Sequence, residues 1–328
     1  MNTGSLRYRA MARPRQKTTA AGERPRSMSM PGAPQDQVRR EDDDEPPFRS
    51  GFVALVGRPN VGKSTLLNQI LGRKIAITSA TPHTTRTRVR GVLDRPDGQI
   101  VFTDTPGVHR PRTALGDRLN QTAASTFDDV DCCVLLLEAS APIGAGDRYI
   151  AERLRPDTVI ALNKIDRVDD AKVLKHLELA ASELGLAEAE YFPLSAKTGA
   201  GVPALVEHLA ARMPEGPRYF PAGMVSDVPE AFYVAELVRE QLLRHAEEEL
   251  PHSIACRVTE WEWPRIRCEI LVERESQKGI VIGKGGRVLK AAGTAVRQQL
   301  EPGAYLELFV KVEKGWQRHP DVIERLGY

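Results

Sequence analysis

The sequence predicts two successive domains, a doubly wound α/β domain with a mostly parallel sheet and then a small α+β domain. Between residues 48 and 216, short apolar runs alternate with helical patterns, which is typical of a doubly wound sheet. Several of the runs are apolar on both faces, as strands covered by helices on both sides require. After a proline- and glycine-rich linker at 217–229, the predicted order of elements becomes α-β-β-α-α-β over residues 230–328.

The individual elements follow from the same patterns. Turn residues bound the predicted strands of the first domain, which are Phe52–Val56, Ile100–Thr103, Val130–Leu137, Thr158–Leu162 and Tyr191–Leu194. A helix over Val202–Arg212 closes this domain. The second domain is predicted to contain, in chain order, a helix over Glu230–Glu249, strands over Ser253–Trp261 and Ile266–Glu273, a short helix, a glycine-rich turn, a longer helix that ends near Leu300, and a strand over Tyr305–Val312.

Composition narrows the class of protein. Charged residues make up 27% and hydrophobic residues 41% of the chain, and a formal net charge of +2 does not by itself indicate a nucleic-acid partner. No apolar run approaches the roughly 20 residues that cross a bilayer, so no transmembrane segment is expected. The four cysteines show no C-x-x-C spacing. They indicate neither a metal site nor a disulfide framework, and they favour a reducing interior such as the bacterial cytoplasm.

Residues 1–47 are predicted to form a disordered N-terminal extension. They are rich in Arg, Pro, Ser and Gly and show no apolar periodicity. The first 22 residues contain five basic residues and no acidic one, a composition that mitochondrial presequences share. An unstructured bacterial extension and a start codon assigned too early are the other interpretations, so the mitochondrial matrix is an alternative to the bacterial cytoplasm.

A phosphate-binding loop is predicted directly after the first strand, where Gly57–Thr65 reads GRPNVGKST and matches G-x-x-x-x-G-K-[ST]. Glycines let the backbone fold around phosphate oxygens, and the N–H groups at the start of the next helix point at them. Lys63 is expected to reach the β- and γ-phosphates, and Ser64 to give its hydroxyl to Mg²⁺. The pattern alone leaves ATPases, nucleotide kinases and GTPases open, and a chance glycine-rich turn is the alternative.

Two later segments favour guanine as the base, NKID at Asn163–Asp166 and SAK at Ser195–Lys197, because each follows a predicted strand. A carboxylate at Asp166 can accept two hydrogen bonds, from guanine N1–H and from the N2 amino group. Adenine offers no such pair of donors, so the site would reject it. Asn163 is expected to tie this segment to the phosphate loop, and the Ala196 N–H to meet guanine O6.

The segment DTPG at Asp104–Gly107 also follows a predicted strand. Asp104 is expected to hold Mg²⁺ through a water molecule, and Gly107 to offer its N–H to the γ-phosphate. In the polar segment before that strand, Thr85 is predicted to bind Mg²⁺ when the γ-phosphate is present, which would order the segment. Thr84 is the alternative ligand, and an ordinary loop or N-cap role is open for either threonine.

The residue after DTPG is Val108, where many small GTPases have a glutamine that positions the attacking water. Valine cannot do this, so slow intrinsic hydrolysis is predicted and no catalytic residue is identified. His83 and His109 are nearby alternatives, although histidines in such segments are more often surface residues.

The second domain contains a basic glycine-rich turn at Gly283–Gly286. Between Ser276 and Leu300 there are five basic residues and no acidic one. Glycines allow a sugar-phosphate backbone to approach closely and the basic residues neutralise it, which is how a KH module clamps about four nucleotides of single-stranded RNA. A solvated basic helix face and a protein-interaction module are the alternatives.

These patterns define three predicted sites. The GTP-binding residues are Gly57, Arg58, Pro59, Asn60, Val61, Gly62, Lys63, Ser64, Thr65, Asp104, Thr105, Pro106, Gly107, Asn163, Lys164, Asp166, Ser195, Ala196 and Lys197. The Mg²⁺ ligands are Ser64, Thr85 and Asp104. The RNA-binding residues are Lys278, Gly283, Lys284, Gly285, Gly286, Arg287 and Lys290.

From residue 48 to residue 328 the chain resembles the Era family of bacterial ribosome-assembly GTPases. The resemblance rests on GRPNVGKSTLLN, TTR, DTPG, NKID, SAK, LVERESQKGIVIGKGG and VKVEKGW, and on one GTPase domain joined to one KH domain. It implies that the second domain is a type II KH fold that binds the 3′ end of 16S ribosomal RNA. It also implies a role in assembly of the 30S subunit and RNA binding that the GTP state favours.

The resemblance also bears on the nucleotide site and on partners. The family has a hydrophobic residue where Val108 stands, and relatives with an asparagine matching Asn60 can use K⁺ beside the phosphates. Asn60 is therefore a candidate K⁺ ligand in addition to the predicted Mg²⁺ site. A monomer that binds GTP and GDP is expected. Membrane association is sometimes ascribed to the family, but nothing in the sequence supports more than peripheral contact.

Overall fold

A six-stranded sheet forms the centre of the first domain in the computed structural model, which describes residues 47–79, 81, 84–107, 115, 119, 129–245 and 253–328. In chain order its strands are β1 (Arg49–Val56), β2 (Val89–Asp94), β3 (Gly98–Asp104), β4 (Cys132–Glu138), β5 (Val159–Asn163) and β6 (Tyr191–Pro193). They lie in the order β2-β3-β1-β4-β5-β6, and every neighbouring pair is parallel except β2 with β3. The predicted doubly wound, mostly parallel sheet is confirmed.

Helices cover both faces of this sheet, and in the described residues they are α1 (Lys63–Leu71), α2 (Ala145–Ala151), α3 (Asp170–Glu183) and α4 (Val202–Arg212). Successive residues of a strand point to opposite faces. Val53 and Leu55 of β1 therefore pack in one core cluster with residues of α1 and α4. Ala54 and Val56 pack in the opposite cluster with residues of α2 and α3. All four are fully buried, which explains why β1 is apolar throughout.

The antiparallel edge strand β2 has no counterpart among the predicted strands. Its sequence, VRGVLD, interrupts the apolar pattern with Arg90 and Gly91, so it does not read as a buried strand. Packing explains the glycine, because a Cβ at Gly91 would lie 2.5 Å from Leu71 Cδ1 at the end of α1. The strand forms because β3 supplies a full antiparallel ladder, with Val89 opposite Asp104.

The parallel strands bring the predicted GTP-binding segments to one edge of the sheet. β1 leads into Gly57, β3 ends at Asp104, β5 ends at Asn163, and β6 leads to Ser195. Ligands bind at the carboxyl ends of strands in open α/β sheets. The topology therefore assembles one site from segments that lie far apart in the sequence.

The second domain has the predicted order α-β-β-α-α-β. Its elements are α5 (Glu230–Leu243), β7 (Ala255–Glu262), β8 (Arg265–Val272), α6 (Glu275–Ile282), α7 (Arg287–Arg297), β9 (Tyr305–Val312) and, not predicted, α8 (Pro320–Arg325). β8 lies between antiparallel β7 and parallel β9. Leu237 of α5, Val296 of α7 and Ile270 of β8 are fully buried in its core.

The predicted linker at 217–229 runs along the first domain. The Val92 N–H donates to Val225 O at 2.8 Å, and the side chain of Gln99 accepts from the N–H groups of Tyr219 and Phe220 at 2.9 Å each. Because these contacts hold the segment against β2 and β3, the linker is more than a tether. The boundaries 48–216, 217–229 and 230–328 stay predictions.

Some predictions fall on residues that the structure does not describe. These are the disordered extension apart from Pro47, the role of Val108 and the two histidines His83 and His109. Helix α5 ends at Leu243 rather than at Glu249, and residues 246–252 are likewise outside the description. Within the described part of the chain, none of the helices has both the length and the apolar character needed to cross a membrane.

Candidate guanine-nucleotide site and RNA-binding turn

The phosphate loop between β1 and α1 wraps around the ammonium group of Lys63. Lys63 Nζ donates to Gly57 O and to Arg58 O, at 3.0 Å each. The loop reverses direction through left-handed backbone at Asn60 (φ 63°) and Gly62 (φ 108°). Burial lowers the pKa of Lys63 to about 8, although Asp104 acts to raise it. A phosphate in the loop would stabilise the charged form of this lysine.

The phosphate loop leaves no room for a side chain at Gly62. A Cβ at Gly62 would lie 2.2 Å from Asn163 Nδ2. Gly62→Ala should therefore displace Asn163 and weaken GTP binding about 10- to 100-fold, because local strain of this kind costs about 1–3 kcal/mol. Gly72→Ala is the matched control, since Gly72 also has positive φ (59°) but nothing within 4 Å of its Cβ position. Titration with a fluorescent guanine nucleotide measures both, and equal affinities would contradict the prediction.

Three side-chain oxygens meet at the start of α1, where the sequence predicts Mg²⁺. Ser64 Oγ donates to Asp104 Oδ2 at 2.5 Å, and Thr85 Oγ1 donates to the same oxygen at 3.1 Å. The two hydroxyl oxygens are 2.9 Å apart. Thr84, the alternative ligand, instead donates its hydroxyl to Thr81 O at 2.7 Å. The structure thus brings Thr85, and not Thr84, to the cluster.

The carboxylate of Asp104 fits a bound cation. It is fully buried, and burial raises its pKa although Lys63 and the two hydroxyls act to lower it. Its Oδ1 atom is buried and has no hydrogen-bond partner among the described residues. Oxygen ligands of this kind suit Mg²⁺, and a cation here would satisfy Oδ1 directly or through water and keep Asp104 ionised.

Asn163 joins the segments NKID and SAK to the phosphate loop. Its Nδ2 donates to Val61 O at 2.7 Å, and its Oδ1 accepts from the Ala196 N–H at 2.9 Å. Ser195 Oγ donates to Asp166 Oδ1 at 2.6 Å, which orients the carboxylate that the sequence assigns to guanine. Because the Ala196 N–H is already donated to Asn163, its predicted contact with guanine O6 requires Asn163 to share or release it.

The side chain of Lys164, in the segment NKID, reaches over the phosphate loop. It takes left-handed backbone (φ 68°), and its Nζ donates to Asn60 O at 2.8 Å and lies 2.7 Å from Glu138 Oε2. No motif indicates Glu138. Its place at the carboxyl end of β4, beside the strand that leads into Lys164, is the signal that would have found it.

A second residue that no motif indicates is Asp147, which is 1% exposed. Arg58 Nε of the phosphate loop donates to Asp147 Oδ1 at 2.7 Å, and the Gly144 N–H donates to its other oxygen at 2.9 Å. Asp147 therefore caps α2 and fixes the direction of Arg58. The sequence carries no signal for the pair, because 89 positions separate the two residues.

An open cavity of about 820 Å³ lies over the phosphate loop. Small-molecule sites span about 300–1,000 Å³, so a nucleotide fits by size. Predicted GTP-binding residues in its wall include Asn60, Lys63, Ser64, Gly107 and Lys164. The second domain also contributes, through Leu243 and Arg244 at the end of α5.

The glycine-rich turn lies between α6 and α7, as predicted. Gly283, Gly285 and Gly286 all have positive φ (74°, 63° and 75°), a backbone that disfavours residues with side chains. Three of the basic residues that flank it are exposed, and these are Lys284, Arg287 and Lys290. Lys278 is half-buried. The turn thus exposes a backbone that another chain can approach closely, and basic side chains surround it.

Two family models match this chain. The model described as 50S ribosome-binding GTPase matches residues 52–164, which include the phosphate loop, DTPG and the start of NKID. The model described as KH domain matches residues 249–317, which include the glycine-rich turn.

Full-length relatives are similar across the same two domains. GTPase Era of Mycobacterium tuberculosis (strain H37Rv) is 48% identical over 299 residues, which cover 86% of this chain and 99% of the relative. GTPase Era of Mycobacterium avium is 48% identical over 298 residues with the same coverage.

Two solved structures of Era are also similar to this chain. The structure of Era in complex with MgGDPNP and nucleotides 1506–1542 of 16S ribosomal RNA is 37% identical, with a TM-score of 0.81. A variant of Aquifex aeolicus Era bound to GDP and AlF4⁻ is 36% identical, with a TM-score of 0.82. Each comparison covers 86% of this chain and 99% of the other.

Proposed function

Because the chain belongs to the Era family of GTPases, we propose that it uses GTP to control its binding of single-stranded 16S ribosomal RNA near the 3′ end during 30S assembly. The observation that carries this proposal is one chain with both a guanine-nucleotide site and a basic glycine turn between α6 and α7. A solved relative that aligns over 86% of this chain is in complex with MgGDPNP and 16S ribosomal RNA together.

The GTPase reaction depends on how the site holds the triphosphate. Ser64, Thr85 and Asp104 would hold Mg²⁺, which neutralises charge on the phosphates when it is bound. Lys63 would hold the β- and γ-phosphates, and the Gly107 N–H would donate to the γ-phosphate. With Val108 after DTPG, we propose that hydrolysis is slow and relies on positioning and electrostatic stabilisation rather than on a glutamine.

Lys63 should make nucleotide binding depend on pH. Its pKa is about 8 in the free protein, and bound phosphates raise it because they stabilise the ammonium form. Between these two pKa values binding must take up a proton, so the contribution of Lys63 to GTP affinity is level below about pH 8 and falls above it, approaching tenfold per pH unit.

Calorimetry in buffers of different ionisation enthalpy measures the proton uptake. Lys63→Met should remove the uptake attributed to this residue as well as weaken binding. Proton uptake that is absent from the wild type above pH 8, or unchanged in the variant, would contradict the pKa assignment.

We further propose Asn60 as a K⁺ ligand. It lines the cavity beside Lys63, and its left-handed backbone (φ 63°) lies where the phosphate loop reverses direction. Asn60→Gly tests this, because glycine keeps the positive φ and removes only the side chain. The wild type should hydrolyse GTP faster in KCl than in NaCl, and the variant should not. Equal stimulation of the two proteins would exclude Asn60 as a ligand.

Binding of RNA is tested with a labelled single-stranded RNA of the 16S 3′-terminal sequence and the full chain saturated with MgGDPNP. The affinity should fall with salt, with a slope of about −0.7 per phosphate contact in a plot of log K against log salt. A duplex of the same sequence should bind more weakly, because the bases of single strands are open to contact. No binding by the single strand would instead favour a protein-interaction module.

The relatives described above include proteins of Mycobacterium tuberculosis and Mycobacterium avium, which supports a bacterial protein. We propose that it acts in the cytoplasm, on the 30S subunit, as a monomer. A nucleotide kinase or an RNA-modifying ATPase would need a site that accepts adenine. The carboxylate of Asp166, held by Ser195, favours guanine instead.

A further inference from the structure

A buried polar junction joins α5 of the second domain to the segment between α1 and β2, which carries Thr85. On α5, Arg239 and Glu240 are fully buried and Glu236 is 8% exposed. Burying charged groups is costly unless they are paired and hydrogen-bonded. The positions of their partners are therefore tightly specified.

Glu240 holds the first part of the segment. Its Oε1 accepts from the Thr78 N–H at 2.9 Å, and its Oε2 accepts from Lys74 Nζ at 2.5 Å. On the same helix, the Tyr233 hydroxyl donates to Lys74 O at 3.0 Å. One carboxylate thus fixes both a backbone N–H and a side chain of the first domain.

Arg239 holds the segment immediately before Thr85. Its Nη2 donates to Thr84 O, and its guanidinium pairs with Glu236 through contacts of 2.7 Å and 2.5 Å. The Thr84 carbonyl belongs to the peptide bond that precedes Thr85. A shift of α5 would therefore move the backbone from which the Thr85 hydroxyl reaches Ser64 and Asp104.

Arg86 holds the segment immediately after Thr85. It is 3% exposed, and its Nη1 donates to Ile254 O of the second domain at 2.7 Å. Its guanidinium lies 5.5 Å from the ring centre of Trp316 and 5.3 Å from that of Tyr328. The second domain thus forms hydrogen bonds with the residues on both sides of Thr85, the proposed Mg²⁺ ligand.

We propose that Arg239 and Glu240 are positioning residues that couple the Mg²⁺–GTP site to the RNA-binding domain, an inference that rests on the proposed function. In this arrangement Thr85 Oγ1 is 3.1 Å from Asp104 Oδ2, so the junction stabilises the form of the segment that ligates Mg²⁺. GDP has no γ-phosphate to order Thr85, so the junction affects GTP binding selectively. Helix α5 shares its buried core with α7, which follows the glycine-rich turn, so RNA bound at the turn acts on the same junction. By linkage, the RNA affinity then depends on the nucleotide.

The test is a double variant of the full chain, Glu236→Gln with Arg239→Met, which removes the ion pair without leaving one charge buried alone. RNA affinity is measured with MgGDPNP and with MgGDP. The wild-type ratio of the two affinities is expected in the range of about 5- to 150-fold, as coupled sites commonly show. In the variant the ratio should fall to near one, because the RNA affinity with MgGDPNP falls while the RNA affinity with MgGDP stays unchanged.

The matched control is Arg257→Met with Glu269→Gln, an arginine–glutamate pair at 2.6 Å between β7 and β8 of the same domain. It should keep the wild-type ratio and so separates coupling from loss of an ion pair. Glu240→Gln, which keeps the shape and weakens the hold on Lys74, serves as a second variant should the first fail to fold. It should also lower the ratio.

A folded variant that keeps the wild-type ratio of RNA affinities would overturn the inference. A wild type with the same RNA affinity in both nucleotide states would do so as well. Failure of the wild type to bind RNA would contradict the proposed function instead. The affinities for MgGDPNP and MgGDP alone would still test the junction, because losing it should weaken only the former.

Discussion

Asp166→Asn is expected to lower the affinity for GTP by about 100- to 10,000-fold, because it weakens two hydrogen bonds to a charged acceptor that are worth about 1.5–3 kcal/mol each. The same substitution should raise the affinity for xanthosine triphosphate. Xanthine has a carbonyl group where guanine has its N2 amino group, so an asparagine amide can donate to it and still accept from N1–H. Ser195 Oγ would continue to donate to the remaining side-chain oxygen.

Competition of GTP and xanthosine triphosphate against a fluorescent guanine nucleotide measures both effects. Asp170→Asn is the matched control, since it removes the same charge from an exposed position at the start of α3. It should leave both affinities unchanged. Retention of GTP preference by Asp166→Asn would remove the basis for assigning guanine to this site.

Gly283→Asp combined with Gly286→Asp is expected to weaken binding of the single-stranded RNA at least about 100-fold, equivalent to about 2.7 kcal/mol. Both glycines have positive φ, and a Cβ at Gly283 would lie 2.5 Å from Val288 Cγ2. The substitution also places two negative charges where the sugar-phosphate backbone must approach. GTP affinity should not change.

Gly303→Asp provides the control for this experiment. Gly303 lies in the turn between α7 and β9 of the same domain, has a φ of 98°, and has nothing within 4 Å of its Cβ position. It matches the charge and the backbone strain of one substitution but lies outside the glycine-rich turn. If it weakened RNA binding as much as the double variant, the effect would be one of stability or net charge rather than of the turn.

The parts of the site that the sequence predicts are those in which local sequence determines local backbone. Gly57, Gly62 and Lys63 lie within one turn that follows a strand, so their spacing already specifies the loop. Segments such as Asn163–Asp166 could be assigned because a strand end fixes where they lie. The order of elements in the second domain is predictable for a similar reason, because each helix and strand has a clear hydrophobic period and is bounded by turn residues.

The parts that the sequence does not predict depend on pairs that only the folded chain brings together. Arg239 and the Thr84 carbonyl are 155 positions apart, and a buried arginine on a helix gives no indication of its partner. Glu138 and Asp147 resemble surface acids in the sequence and become buried or bridged only when the strands align. The sequence does not predict β2 for a related reason, because its neighbour β3, and not its own composition, stabilises it.

If the bound guanine nucleotide controls RNA binding by this chain, the RNA affinity must differ between the GTP-like state and the GDP state. The affinity for the single-stranded 16S 3′-terminal RNA is measured for the wild-type chain with saturating MgGDPNP and with saturating MgGDP. Tighter binding with MgGDPNP, by about 5- to 150-fold, is predicted. Equal affinity in the two nucleotide states would contradict nucleotide control of RNA binding.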